Sequence, residues 1–263
     1  VLGVVVIGGA CGWLFRDQLK RLADGVSVPV QSIPSSTSAP PQPQAATEPA
    51  PAPPPIKHPL DTEAAADPAL PKLADSDAAA WGALSQLFQG EGPLTLLLRD
   101  HLIQRLVTQA DNLDKSSVPP TALAARPLPG SLQVEPAEGG GRIAASNGAR
   151  YAPYVQAFTA LDPAATAAAY KRFYPLIQQA YVDLGRPDGY FNDRLVAVID
   201  HLLETPELAQ APLVQRDERG RYRFVDPTLQ SRSIGQKALL RMDPAQARAV
   251  KQQLRAIRTA ITR

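Results

Sequence analysis

Hydrophobic positions fall into three regimes along the chain. Residues 1–15 (VLGVVVIGGACGWLF) form an apolar run without a charge, and Arg16, Asp17, Lys20 and Arg21 follow directly. Residues 29–71 show no period. Proline, alanine, serine, glutamine and threonine dominate there, with runs such as Ala50-Pro51-Ala52-Pro53-Pro54-Pro55. From Lys72 onward apolar residues recur at helical spacing. Trp81, Leu84, Leu87 and Phe88 make one stripe after Asp75 and Ser76, stopped by Gly90. Pro93 opens a second helix with Leu94, Leu97, Leu98, Leu102 and Leu106 on one face.

Residues 115–149 lose the helical period, and Pro119, Pro120, Pro127, Pro129 and Pro136 read as loop. Within that stretch, segments 132–135 and 142–145 flank Gly139-Gly140-Gly141 as a short hairpin. The clearest helix starts at Asp162-Pro163, an acidic N-cap with proline in the first turn. Its stripe is Tyr170, Phe173, Tyr174, Ile177, Tyr181 and Leu184, and Gly185 ends it. Pro175 removes the bond to Lys171, which predicts a kink. After Pro187 a further helix carries Phe191, Leu195, Val198, Ile199 and Leu202 as far as Pro206. Segments 214–216 and 222–225 make a second hairpin around Asp217-Glu218-Arg219-Gly220, and two more helices start near Pro227 and at Asp243-Pro244. The expected fold is mainly α: a single helical domain over residues 72–263 with one or two small β-hairpins. A transmembrane helix (1–15), a juxtamembrane flank (16–28) and a disordered Pro/Ala-rich tether (29–71) precede it.

Fifteen helical residues rise only about 22 Å, against roughly 30 Å of hydrocarbon. Val1 in place of Met leads to the expectation that the span begins upstream. Trp13, Leu14 and Phe15 extend the apolar run where a cleaved signal peptide needs small polar residues. Gly8 is a poor residue before a lipid-modified Cys11, so an uncleaved anchor is the reading kept. The bilayer is then the first partner. The flank leans weakly towards a cytoplasmic C-terminal side, whereas analogy with single-pass envelope proteins puts the domain in the periplasm. That gives an inner-membrane, single-pass protein of the bacterial envelope.

Proline usage explains the middle regime. Of 27 prolines, 13 lie in residues 29–71, a composition that buries too little apolar area to offset the entropy of ordering. As polyproline II the segment reaches up to roughly 130 Å, a spacer in which His58 is a solvated side chain. Cys11 is the lone cysteine, so a disulfide framework is excluded.

Several segments of the domain carry a resemblance. Tyr174-Pro175-Leu176, Asp188-Gly189-Tyr190-Phe191-Asn192-Asp193-Arg194, Ile199-Asp200-His201-Leu202, Gly235-Gln236-Lys237 and Leu240-Arg241-Met242 are similar to the bacterial domain-of-unknown-function family numbered 3014. The resemblance covers most of residues 73–261. It implies a membrane helix, a proline-rich spacer and this domain, and it supplies no catalytic residue.

The 188–194 run is the best candidate site. Asp188, Tyr190, Asn192, Asp193 and Arg194 gather carboxylate, phenol, amide and guanidinium at a helix N-terminus, where free N–H groups can hold an anion. The structural alternative has Asp188 or Asn192 capping the helix and Asp193 complementing its dipole. Asp100-His101-Leu102 and Asp200-His201-Leu202 place neighbouring ligands about 100° apart on a helix, so no metal and no cofactor is expected. No nucleophile elbow selects a serine, and Glu138-Gly139-Gly140-Gly141-Arg142 lacks the ending of a phosphate loop. Tyr151, Tyr154 and Tyr190 lie outside the main aromatic stripe and could line a groove for a peptide or glycan.

Charge points to one further face. With 27 basic and 25 acidic residues the chain is nearly balanced, but residues 241–263 hold six basic side chains and one acidic. Val250, Leu254, Ile257 and Ile261 centre an apolar face, and Arg248, Lys251, Arg255 and Arg258 form a neighbouring strip suited to anionic headgroups or an acidic partner. No recognition motif accompanies it, so nucleic acid is not expected. The expectation is a membrane-tethered interaction or scaffolding domain with a protein or glycan partner. The alternative is a hydrolase-like envelope enzyme with its site at 188–194.

Overall fold

The computed structural model describes residues 54–62, 67–117 and 123–263. Its helices are α1 (Asp77–Leu87), α2 (Leu102–Asn112), α3 (Asn147–Thr159), α4 (Pro163–Asp183), α5 (Phe191–Leu203), α6 (Pro227–Gln230), α7 (Ile234–Arg241) and α8 (Pro244–Ile261). Its strands are β1 (Val134–Ala137), β2 (Gly140–Ile143), β3 (Leu213–Arg216) and β4 (Tyr222–Phe224). The predicted membrane helix (1–15), its flank (16–28) and most of the tether lie outside the described residues. No helix among the described residues is long and apolar enough to cross a membrane.

Local chemistry starts three of these helices in the same way. Asp162, Asp226 and Asp243 each accept an N–H of the following first turn, from Ala165, Thr228 and Ala245 at 2.7, 2.7 and 2.8 Å. In each case proline occupies the next position, where its missing N–H costs nothing. Helix α4 runs unbroken through Pro175, which sits on its exposed face. Its buried stripe includes Tyr170, Phe173, Tyr174, Ile177 and Tyr181. Leu184, assigned to that stripe by period, lies beyond the last turn and is 40% exposed.

Two expectations change. Pro93 opens only a 3₁₀ turn, Pro93–Leu96. The chain then extends, with Leu98 N donating to Ala124 O (2.9 Å), and turns through a left-handed His101 (φ 52°) into α2. The physical cause is Asp77 of α1, whose carboxylate accepts the N–H groups of His101 and Leu102, both at 2.8 Å, and so caps α2 from another helix. Leu94, Leu97, Leu102 and Leu106 are all buried, so the stripe identified the core while misassigning the element. Helix α3 also falls partly where loop was expected. Tyr151, Tyr154, Val155 and Phe158 are buried at helical spacing, masked in the sequence by Gly148 and Pro153.

Both hairpins form, and they join. The order is β1-β2-β3-β4, all antiparallel, because β2 pairs with β3 through Gly141↔Val214 and Arg142↔Leu213. The first hairpin turns tighter than expected, leaving only Glu138 and Gly139 (φ +79°) between strands. Pro136 is tolerated because β1 is an edge strand. The sheet covers a small core of its own, with Leu132, Ile143, Val214, Phe224, Leu229 and Leu240. The main core lies among the helices: α8 packs on α3, α4 and α5, while α2 packs on α4 and α5.

Candidate functional site

The 188–194 run spans the junction between α4 and α5. Gly185 (φ +84°) turns the chain out of α4, and Gly189 closes the loop against α4. A side chain at Gly189 would put its Cβ 2.7 Å from the Tyr181 ring, so the close approach requires glycine. The start of α5 is satisfied from α4. Gln178 accepts the Phe191 N–H through Oε1 (2.8 Å) and donates through Nε2 to Gly189 O (2.7 Å). Tyr174 donates its phenol to the same Oε1 (3.0 Å) and accepts the Asn192 N–H (3.2 Å). Burial pushes the Tyr174 phenol far above its ordinary range, with Tyr190 and Asp193 acting in the same sense against the hydrogen bond from Asn192. It therefore stays protonated. Neither Asp188 nor Asn192 caps α5: the N-cap is Tyr190, without a side-chain cap bond, and Asp188 is exposed.

The side chains freed from capping hold another part of the chain. Asp193 accepts two successive backbone N–H groups, from Lys57 to Oδ2 (2.8 Å) and from His58 to Oδ1 (2.7 Å). Asn192 donates through Nδ2 to His58 O (2.8 Å) and to Ile261 O at the end of α8 (3.1 Å). Tyr190 Oη accepts the Leu60 N–H at 2.9 Å. Leu60 is buried as part of the main core. The tether is expected to run to Pro71 with a solvated His58, yet residues 54–60 form a strap across the start of α5. Rings lead inward from the strap, with Tyr190 and Tyr174 centroids 5.4 Å apart and Tyr174 and Tyr170 5.5 Å apart. A groove of about 730 Å³ lies beside the strap, lined by Ile56, Lys57, Tyr181, Asp188, Arg194 and Val196 among others.

Arg194 does not join the strap. It points to the end of α2, donating Nε to Asp111 Oδ1 (2.6 Å) and Nη1 and Nη2 to Asp114 (2.8 and 2.7 Å), with Nη2 also on Asp111 O. Burial raises the Asp114 carboxyl, but the hydrogen bond and charge of Arg194, with Lys115, outweigh it and hold the pKa below the ordinary value. The same two carboxylates raise the pKa of Arg194 against its desolvation. The arrangement is an ion-pair anchor between α2 and α5. It commits the Arg194 guanidinium to Asp111 and Asp114 instead of to an incoming anion.

Other predicted site residues are also engaged. Tyr151 and Tyr154 are core residues, and Tyr154 Oη donates to Arg126 O (2.9 Å), so of the three proposed groove tyrosines only Tyr190 stays partly exposed. On α8 the apolar face of Val250, Leu254, Ile257 and Ile261 is buried as expected from period. The basic strip is split. Lys251 is 5% exposed and donates to Thr205 O (2.9 Å) and Glu207 (3.1 Å). Arg258 forms a bidentate pair with Asp200, at 2.5 and 2.9 Å. Arg248 and Arg255 remain exposed. His201 Nε2 lies 2.9 Å from Ser233 Oγ, a base beside a hydroxyl. Ser233 is buried and its Oγ caps α7 by accepting the Gln236 N–H, which identifies a helix cap. Among the described residues no group of three or more His, Cys, Asp or Glu is placed to hold a metal ion.

Reading by sequence missed the strap residues, the capping pair Tyr174 and Gln178, and the acceptors Asp111 and Asp114. One local signal existed. Ile56-Lys57-His58 is a proline-free gap in a proline tract, followed after Pro59 by an isolated leucine. No curated protein and no solved structure matches the chain. A family model described as a protein of unknown function (DUF3014) matches residues 102–258, from the first residue of α2 almost to the end of α8. Tyr190, Asn192 and Asp193 fall inside that match and the strap falls outside it. The match spans more than half of the chain, which therefore belongs to the DUF3014 family.

Proposed function

We propose that this protein is a membrane-tethered interaction or scaffolding domain of the bacterial envelope. An N-terminal apolar segment holds it in the inner membrane, and a proline-rich tether carries the domain on the periplasmic side. The observation that supports binding over hydrolysis is the commitment of the 188–194 run. Asn192 and Asp193 hold an extended backbone, and Arg194 is saturated by Asp111 and Asp114. A hydrolytic site needs a nucleophile and a base free to meet substrate, and these side chains are spent on the chain itself.

A photo-crosslinking amino acid at Val182, an exposed apolar residue at the end of α4, tests the reading in intact cells. The same probe at Glu218, in the turn between β3 and β4, serves as control. Discrete adducts from Val182 that vanish when residues 1–28 are removed support a tethered interaction domain. Adducts from neither position reject it. A phosphatase reporter fused after Arg263 is expected to be active, as it is only outside the cytoplasm.

A further inference from the structure

We propose that Tyr190, Asn192 and Asp193 form a clamp for an extended, proline-flanked peptide, and that residues 54–60 are its occupant in cis. This rests on the interaction-domain reading and names the kind of partner that reading requires.

Recognition of the strap is directed at backbone. A carboxylate takes two adjacent N–H groups, an amide takes the carbonyl of the second, and a phenol takes the N–H two residues on. Only one strap side chain, Leu60, is buried, whereas Ile56 is 53% exposed. The three N–H donors fall on Lys57, His58 and Leu60, while prolines fill positions 54, 55 and 59. A peptide fits when it lacks proline at those three positions, carries leucine at the last, and is kept extended by prolines elsewhere. Such prolines lower the entropy lost on binding. Lys57 lines the groove together with Asp188, so a basic residue is favoured there.

The centre of the clamp is held independently of the strap. Asn192 is held by its own N–H on Tyr174 Oη and by Nδ2 on Ile261 O, and Phe191 N is held by Gln178. Asn192 is wholly buried, and its Oδ1 accepts from no described group, leaving one acceptor of the clamp unused. The groove of about 730 Å³ beside the strap offers room that residues 54–60 leave unfilled. A tethered occupant competes at an effective concentration on the order of millimolar, so an outside peptide meets a site that is occupied until the strap leaves.

The test uses the full chain in detergent micelles and a fluorescent peptide with the sequence of residues 53–61, PPPIKHPLD, read by anisotropy. Lys57→Pro with His58→Pro removes both N–H groups that Asp193 accepts and leaves the rest of the chain unchanged. That double variant is expected to bind the peptide at least about tenfold more tightly than the wild type, and adding Asp193→Ala should abolish the gain. A folded double variant, with unchanged far-UV circular dichroism, that does not bind overturns the proposal. So does binding unaffected by Asp193→Ala. Should the double variant not fold, amide exchange in the wild type decides: excess peptide must accelerate exchange at Lys57 and His58, and unchanged rates reject the clamp. In-cell adducts at Val182 without peptide binding would sink the clamp alone. Peptide binding without those adducts would sink the interaction-domain reading instead.

Discussion

The two ends of α5 are both polar, and they are used in opposite ways. At the C-terminal end Gln236 Nε2 donates to His201 O (2.8 Å), Thr205 closes back on Leu202 O, and the buried Lys251 donates to Thr205 O. Every partner there belongs to the domain, and a cation near a helix C-terminus also suits the dipole. At the N-terminal end the backbone is closed by Tyr174 and Gln178, which leaves Tyr190, Asn192 and Asp193 to hold residues 54–60. One end is locked by permanent neighbours, and the other holds a segment that can leave. Polar residues at a helix terminus therefore announce neither a site nor a cap until their partners are known.

The largest expected effect comes from neither strap nor groove. Arg194→Ala leaves Asp111 and Asp114 with only the longer, more exposed pairs to Arg186 (3.9 Å) and Lys115 (3.4 Å), and urea denaturation should show a loss of about 3 kcal/mol. The pair also sets a pH dependence. Asp114 titrates below its ordinary 3.8 in the folded chain, so its contribution is present above that value and is lost as pH falls through the lower folded pKa. Acid unfolding of Arg194→Ala should lack this component, and retention of the full slope would assign it to other carboxylates.

Lys251→Met tests the locked end. It removes the donor to Thr205 O while keeping apolar volume, and should cost about 1–3 kcal/mol by thermal denaturation. Asp193→Ala tests the removable end. Only the strap loses its acceptor, so global stability should change by less than about 1 kcal/mol while amide exchange at Lys57 and His58 accelerates. A cost equal to that of Lys251→Met would erase the distinction between the two ends. The smallest effect is expected on α8. With Lys251 and Arg258 engaged, only Arg248 and Arg255 can face anionic lipid, at about 1 kcal/mol each. Arg248→Gln with Arg255→Gln should weaken co-sedimentation with phosphatidylserine vesicles at low salt. Unchanged sedimentation removes the lipid-facing role.

How much could be read in advance follows the range of each interaction. The Asp-Pro starts of α4, α6 and α8, the buried stripes of α4, α5 and α8, and both hairpins depend on residues within one or two turns. All are legible without coordinates. The Arg194 anchor is not, because Asp111 and Asp114 lie some 80 residues away in sequence. The same holds for Asp77, which ends the predicted Pro93 helix from outside it, and for Lys251, whose place in a basic stripe hides its burial.

Sequence alone thus determined the buried stripes of α4, α5 and α8, the Asp-Pro starts of α4, α6 and α8, and the polar run at the head of α5. Period and caps are local and need no partner. Tertiary structure decided that two hairpins make one sheet, that α5 is capped from α4, and that the polar run holds the backbone of residues 57–60. Those outcomes depend on which backbone groups remain unsatisfied once the helices have packed, a question that no window of sequence contains.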